Sequence, residues 1–169
     1  FMPDKVRPIP ESYHSISPAI TCKNAASAIE FYKEAFGATE MNRMSGPGGT
    51  VMHAELCIGD SVIFVSDEWP GMAAAPTPGA IPSSYLFLYA PDVDTVFQRA
   101  IAAGATAAMP VTDMFWGDRY GKITDPFGHS WGIATHVEDV SPDEIARRSA
   151  EWTANAAKAS EAAAAAGQS

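Results

Sequence analysis

Positive charge, cysteine and histidine are all scarce in this 169-residue chain. Against 20 Asp plus Glu stand only 11 Lys plus Arg, giving a formal net charge of −9 and a pI near 4.7. A nucleic-acid backbone or an anionic membrane surface would be repelled rather than held, so neither is expected as a partner. Two cysteines, Cys22 and Cys57, lie far apart without a CxxC, which excludes a zinc knuckle or a disulfide framework as the organising element. Both sit in apolar, strand-like runs and read as small core or cleft-wall residues. Four histidines are present, so a three-histidine metal site would consume nearly all of them from scattered positions. No apolar run approaches the roughly 18 residues that span a bilayer, and the opening FMPDKVRPIPESY lacks the order of a signal peptide. The cytoplasm is the expected location.

What the chain has is apolar material. Hydrophobic residues make up 47% and charged residues 18%, enough to bury a sizeable core in one compact unit. Residues 1–14, with Pro3, Pro8 and Pro10, read as an extended arm. Ser15 to Cys22 is strand-like, and Pro18 inside it demotes it to an edge. Asn24 is placed to cap a helix through AASAIEFYKEAF, with Ala28, Ile29, Tyr32 and Phe36 as its apolar stripe and Gly37 as its stop. Strands are predicted over Ala38 to Ser45, Thr50 to Ile58 and Ser61 to Ser66, separated by GPGG and by Gly59-Asp60. A first βαβββ module therefore covers 15–68.

Residues 69–82 carry four prolines and three consecutive alanines and read as a linker. The order then restarts over 83–137: a strand Ser84 to Ala90, a helix capped by Asp92, a strand Ala105 to Val111, a loop DMFWGDRYG leading into KIT, the turn DPFG, and a strand His129 to His136. Shifting the first half by 67 residues lays FGAT (36–39) on AGAT (103–106) and Ile29 on Val96. Two copies of one module are the inference. One curved sheet cannot bury both faces; two modules side by side put helices over one face of each and leave a cleft. The fold class expected is α+β, with 138–169 forming an extra Ala-rich helix and tail.

The segments ITCKNAASAIEFYKEAFGATE (20–40), MHAELCIGDSVIFVSDE (52–68), DVDTVFQRAIAAGAT (92–106) and WGDRYGKITDPFGHSWGIATHVEDV (116–140) carry a resemblance. Together they resemble the vicinal oxygen chelate superfamily of glyoxalases, bleomycin resistance proteins and extradiol dioxygenases, most closely its PhnB-like branch. The resemblance implies one divalent ion held by four ligands from the first and last strands of the modules. Carried onto this chain those positions fall at about Ser17, Phe64, Tyr85 and Gly132, and none is a good ligand. Glyoxalase I activity is therefore not expected.

Other polar and aromatic residues are candidates for the site. Alternation along MHAELCI puts Met52, Ala54, Leu56 and Ile58 on one face and His53, Glu55 and Cys57 on the other. His53 and Glu55 either share a proton relay in the cleft, hold a metal with other ligands, or form a His–Glu pair on a wet sheet face. Trp116 and Arg119 suit a planar or anionic organic ligand through stacking and forked hydrogen bonds, or else they tie down their loop. The superfamily's ligand positions favour Tyr85, Phe87 and Tyr89 as rings paving the pocket. Trp131 is taken as a further ligand contact, while His129 bonds its turn and His14 and His136 read as surface residues.

Two functions compete at this point. One is a lyase or isomerase with His53 and Glu55 as acid/base and Arg119 on an anionic group. The other is a metal-free protein that sequesters a drug or metabolite by stacking on Trp116 and Tyr85. The partners expected are a small organic ligand and a second copy of the chain; no cofactor is firmly predicted, a divalent metal being the minor alternative.

Overall fold

The structure, a computed structural model, describes residues 6–166. The first five residues of the expected arm and the last three of the expected tail lie outside it. Eight strands and three α-helices follow in the order β1 (Ala19–Cys22), α1 (Ala25–Phe36), β2 (Thr39–Ser45), β3 (Val51–Ile58), β4 (Ser61–Asp67), β5 (Leu86–Tyr89), α2 (Val93–Ala102), β6 (Thr106–Asp113), β7 (Asp118–Thr124), β8 (Ser130–His136) and α3 (Pro142–Ala166). The strands form two four-stranded sheets, β1-β4-β3-β2 and β5-β8-β7-β6, so the second half repeats the first. In each, the first strand runs parallel to the last and the others pair antiparallel. The fold is α+β.

The repeat extends to the hydrogen bonds that start each helix. Asn24 accepts from the Ser27 amide at 3.1 Å and Asp92 from the Thr95 amide at 3.2 Å. The next orphan amide is met from the sheet: Asp67 Oδ1 accepts from Ala25 and Thr135 Oγ1 from Val93, both at 2.8 Å. These pairs stand 68 residues apart, whereas Gly37 and Gly104 stand 67 apart. The offset of 67 read from FGAT and AGAT therefore holds at the helix ends, and α2 is one residue tighter.

Three features of the strands differ from expectation for a local reason. β1 begins at Ala19 because Pro18 has no amide to give, although its carbonyl still accepts from Phe64 at 2.8 Å. A register shift after Met44 turns Val51 inward at 1% exposure and leaves Met52 exposed, against the strict alternation expected there. Asp118, Arg119 and Tyr120, expected in a loop, belong to β7, where they pair with His136, Thr135 and Ala134.

One core joins the modules. Ile20, Leu56 and Val65 from the first sheet meet Ile123, Trp131 and Ile133 from the second, with α1 and α2 packed between. Tyr32 stacks on Phe36, and the Trp131 ring lies 4.6 Å from Phe36 and 5.4 Å from Tyr32. Asp125, 4% exposed in the DPFG turn, accepts from the Tyr32 hydroxyl, the Trp131 indole and the amides of Phe127 and His129. Four donors satisfy a carboxylate that would otherwise be costly to bury. Since both helix-bearing faces turn toward this core, the opposite face of each sheet is the one left for ligands.

Candidate functional site

The open face of the second sheet is paved with rings. Phe87, Gly132 and Lys122 form one row across β5, β8 and β7, and Tyr89, Ala134 and Tyr120 form the next. Phe87 stacks on Tyr120 with centroids 5.6 Å apart and planes 13° from parallel. Tyr89, Tyr85 and Trp116 continue the patch at 5.0, 6.5 and 6.1 Å from the nearest ring of that pair. Gly132 makes this possible, because a Cβ there would stand 2.8 Å from Tyr120 and 3.2 Å from Phe87. The rings take the space a side chain would need.

One buried carboxylate fixes the end of the patch. Asp118, 3% exposed, accepts from Tyr89 Oη at 2.9 Å, Trp116 Nε1 at 3.0 Å and His136 Nδ1 at 2.8 Å. His136 Nε2 meets Asp139 at 2.9 Å. Asp139 and Asp118 together raise the His136 pKa above its ordinary value. His136, expected as a plain surface residue, is exposed but held on both ring nitrogens.

The first sheet's open face carries His53 and Glu55, with His53 Nε2 at 3.2 Å from Glu55 Oε1. The arm lies over them: Tyr13 donates to Glu55 Oε2 at 2.6 Å, and its ring sits 6.2 Å from Phe64. The hydrogen bond from Tyr13, then that from His53, holds the Glu55 carboxyl below its usual range. It is thus an ionised acceptor with both oxygens engaged.

A groove of about 630 Å³ runs between the modules, with Ile16, Pro18 and Ile63 on one wall and Tyr85, Phe87 and Tyr89 on the other. The residues singled out from sequence are not gathered in one place. Tyr85 and Phe87 line the groove, Trp116 closes the far end of the ring patch, and Glu55 lies under the arm with His53 beside it. Trp131 borders the groove but is 2% exposed in the core. Arg119 is on the helix-bearing side, where its guanidinium grips both oxygens of Asp94 at 2.7 and 2.8 Å and meets Asp113 at 2.9 Å. Its position in β7 decides this: residues 119, 121 and 123 face α2, so 118, 120 and 122 face the open side. Sequence reasoning leaves Asp118 and Tyr120 in a loop because it begins the strand at Lys122; alternation through DRYGK carries the signal that puts all three on one face.

The expected chelate positions do not fit a metal. Phe64 and Gly132 offer no donor, and the volume beside Gly132 is already filled by Tyr120 and Phe87. Among the described residues no three His, Cys, Asp or Glu side chains are placed to share an ion.

Paired βαβββ modules with an open, ring-lined face define a class, and the comparisons agree with it. Residues 14–133 match the Glyoxalase/Bleomycin resistance protein/Dioxygenase superfamily, and the chain belongs to that family. An uncharacterized protein of Mycobacterium tuberculosis is 43% identical over 136 residues, covering 78% of this chain and 79% of that one. Among solved structures, TioX from Micromonospora sp. ML1 has a TM-score of 0.60 at 25% identity, over 73% of this chain and 99% of TioX. A putative 3-demethylubiquinone-9 3-methyltransferase, PhnB protein, from Bacillus cereus shares the fold with a TM-score of 0.58 at 20% identity, over 72% and 99% of the two chains. No helix among the described residues is long and apolar enough to cross a membrane.

Proposed function

We propose that this chain binds a small planar organic molecule on the ring-lined face of its second module, as a binding protein of the sequestering kind. One observation carries the reading: Tyr85, Phe87 and Tyr89 are 52%, 42% and 61% exposed although they sit side by side beside a groove. Large rings left out of the core in one contiguous patch mark a binding surface, and their faces suit stacking. Isothermal titration with 2-naphthamide tests it. Binding weakened about tenfold by Phe87→Ala supports the reading; an unchanged affinity, or no binding, overturns it.

A second reading makes the protein a lyase or isomerase through His53 and Glu55, supported by their 3.2 Å contact. It requires Tyr13 to leave Glu55, since both carboxylate oxygens are otherwise engaged, by Tyr13 and His53. Turnover of a bound ligand that disappears in His53→Ala would establish it. Both readings have the chain as a cytoplasmic homodimer; the edge strands that end each four-stranded sheet support self-association, and sedimentation equilibrium measures it.

A further inference from the structure

Lys122 and His136 flank the ring-lined face. Lys122 Nζ sits 4.7 Å above the Tyr85 ring, and among the described residues no carboxylate pairs with it. His136 stands four residues along β7 by its pairing with Asp118, so the two mark the ends of a strip about 13 Å long. Phe87, Tyr120 and Tyr89 lie between them. The carboxylate of Asp118 offers nothing to a ligand, because Tyr89, Trp116 and His136 already occupy it. Asp139 differs: its side chain is fully exposed, and the bond it takes from His136 Nε2 is one that any carboxylate arriving over the rings would take equally well.

We propose that the ligand of this face is a planar aromatic acid of two or three rings, its rings on the exposed Phe87 and Tyr89, which Tyr120 backs from within the sheet, and its carboxylate on the His136 Nε2–H in place of Asp139. This rests on the binding reading above and names its ligand class. Asp139 is a stand-in that shows where the carboxylate goes. The Lys122 ammonium receives an acceptor atom at the far end of the rings. The anion-holding task that the sequence suggested for Arg119 thus falls to His136, since Arg119 is spent on Asp94 and Asp113. Against the net charge of −9, the two carboxylates that face His136 are Asp118 on Nδ1 and Asp139 on Nε2, and the ligand's carboxylate takes the place of the second.

Isothermal titration at about pH 6, where the imidazole is protonated, compares 2-naphthoate with 2-naphthamide, which has the same shape without the charge. The carboxylate is expected to bind at least about tenfold tighter. Asp139→Ala removes the competitor and is expected to tighten 2-naphthoate severalfold with the amide unchanged, a gain that misfolding cannot imitate. His136→Gln is expected to abolish the preference and keep the amide affinity. Equal binding of acid and amide by the parent overturns the proposal and leaves the ring-face reading standing, as does a preference untouched in both variants. If neither probe binds, or Phe87→Ala changes nothing, the ring-face reading falls and this inference with it.

Discussion

The Tyr32 hydroxyl donates to Asp125 Oδ2 at 2.7 Å, joining the helix of the first module to the last turn of the second across 93 residues. Because burial first, then the Asp125 charge, raises the Tyr32 pKa well above its ordinary value, the phenol stays a donor at any working pH. Tyr32→Phe leaves one carboxylate lone pair unmet and is expected to cost about 1–2 kcal/mol in urea unfolding. Asp125→Ala strands four donors at once and should cost more, about 3 kcal/mol or above. Equal, small losses would mean that the modules are held by apolar packing alone.

Glycines set the shape of the binding face, and they differ in kind. Gly132 has an unremarkable backbone but no room, so Gly132→Ala must push Tyr120 and Phe87 off the sheet. Overpacking of this sort costs about 1–3 kcal/mol, and affinity for planar probes should fall with it. Gly117 has both problems: φ is +101°, and a Cβ would meet the Glu138 carbonyl oxygen. Gly117→Ala should therefore be the more damaging of the two in thermal unfolding.

How legible this was depended on whether the deciding interaction was local. Asn24, Asp92 and the apolar stripe of α1 are readable because caps and periodicity are written in consecutive residues. Phe87 and Tyr85 could be aimed at the cleft because strands alternate. Arg119 is not placed, because a strand begun at Lys122 leaves residues 118–121 in the loop and the alternation that puts 119 on the α2 side is never applied to it. Trp131 looked like a ligand contact from GHSW, yet its indole answers to Asp125 and its ring to Phe36, a partner 95 positions earlier. The arm's bond from Tyr13 to Glu55 spans 42 residues and has no signature in either segment.

That bond makes a prediction about acidity. Tyr13→Phe removes the larger of the two hydrogen bonds that hold the Glu55 carboxyl low, so its pKa should rise toward the ordinary range near 4.3. A group with a lowered folded pKa stabilises above its unfolded value and loses that contribution as pH falls through the folded one. The variant should thus show a smaller loss of stability at the acid end than the parent. Carbon-detected NMR of the Glu55 carboxyl reads the shift directly; a value unmoved by the substitution would show that the arm does not rest on Glu55 in solution.

His136 carries the opposite sign. Its folded pKa is raised by Asp139 first and Asp118 second, from an unfolded value near 6.5. The stabilisation it supplies is therefore complete below about pH 6.5 and fades as pH rises through the folded value, when the proton leaves and the Nε2 lone pair faces the Asp139 carboxylate. Asp139→Ala should lower the His136 pKa yet leave it raised, because Asp118 still accepts from Nδ1 at 2.8 Å. Asp118→Asn should lower it too, and should also loosen Trp116 and Tyr89, which share that carboxylate. Proton NMR titration of the His136 ring in the three proteins orders the values parent above either variant. A parent value at or below 6.5 would show that the imidazole is not held between two carboxylates.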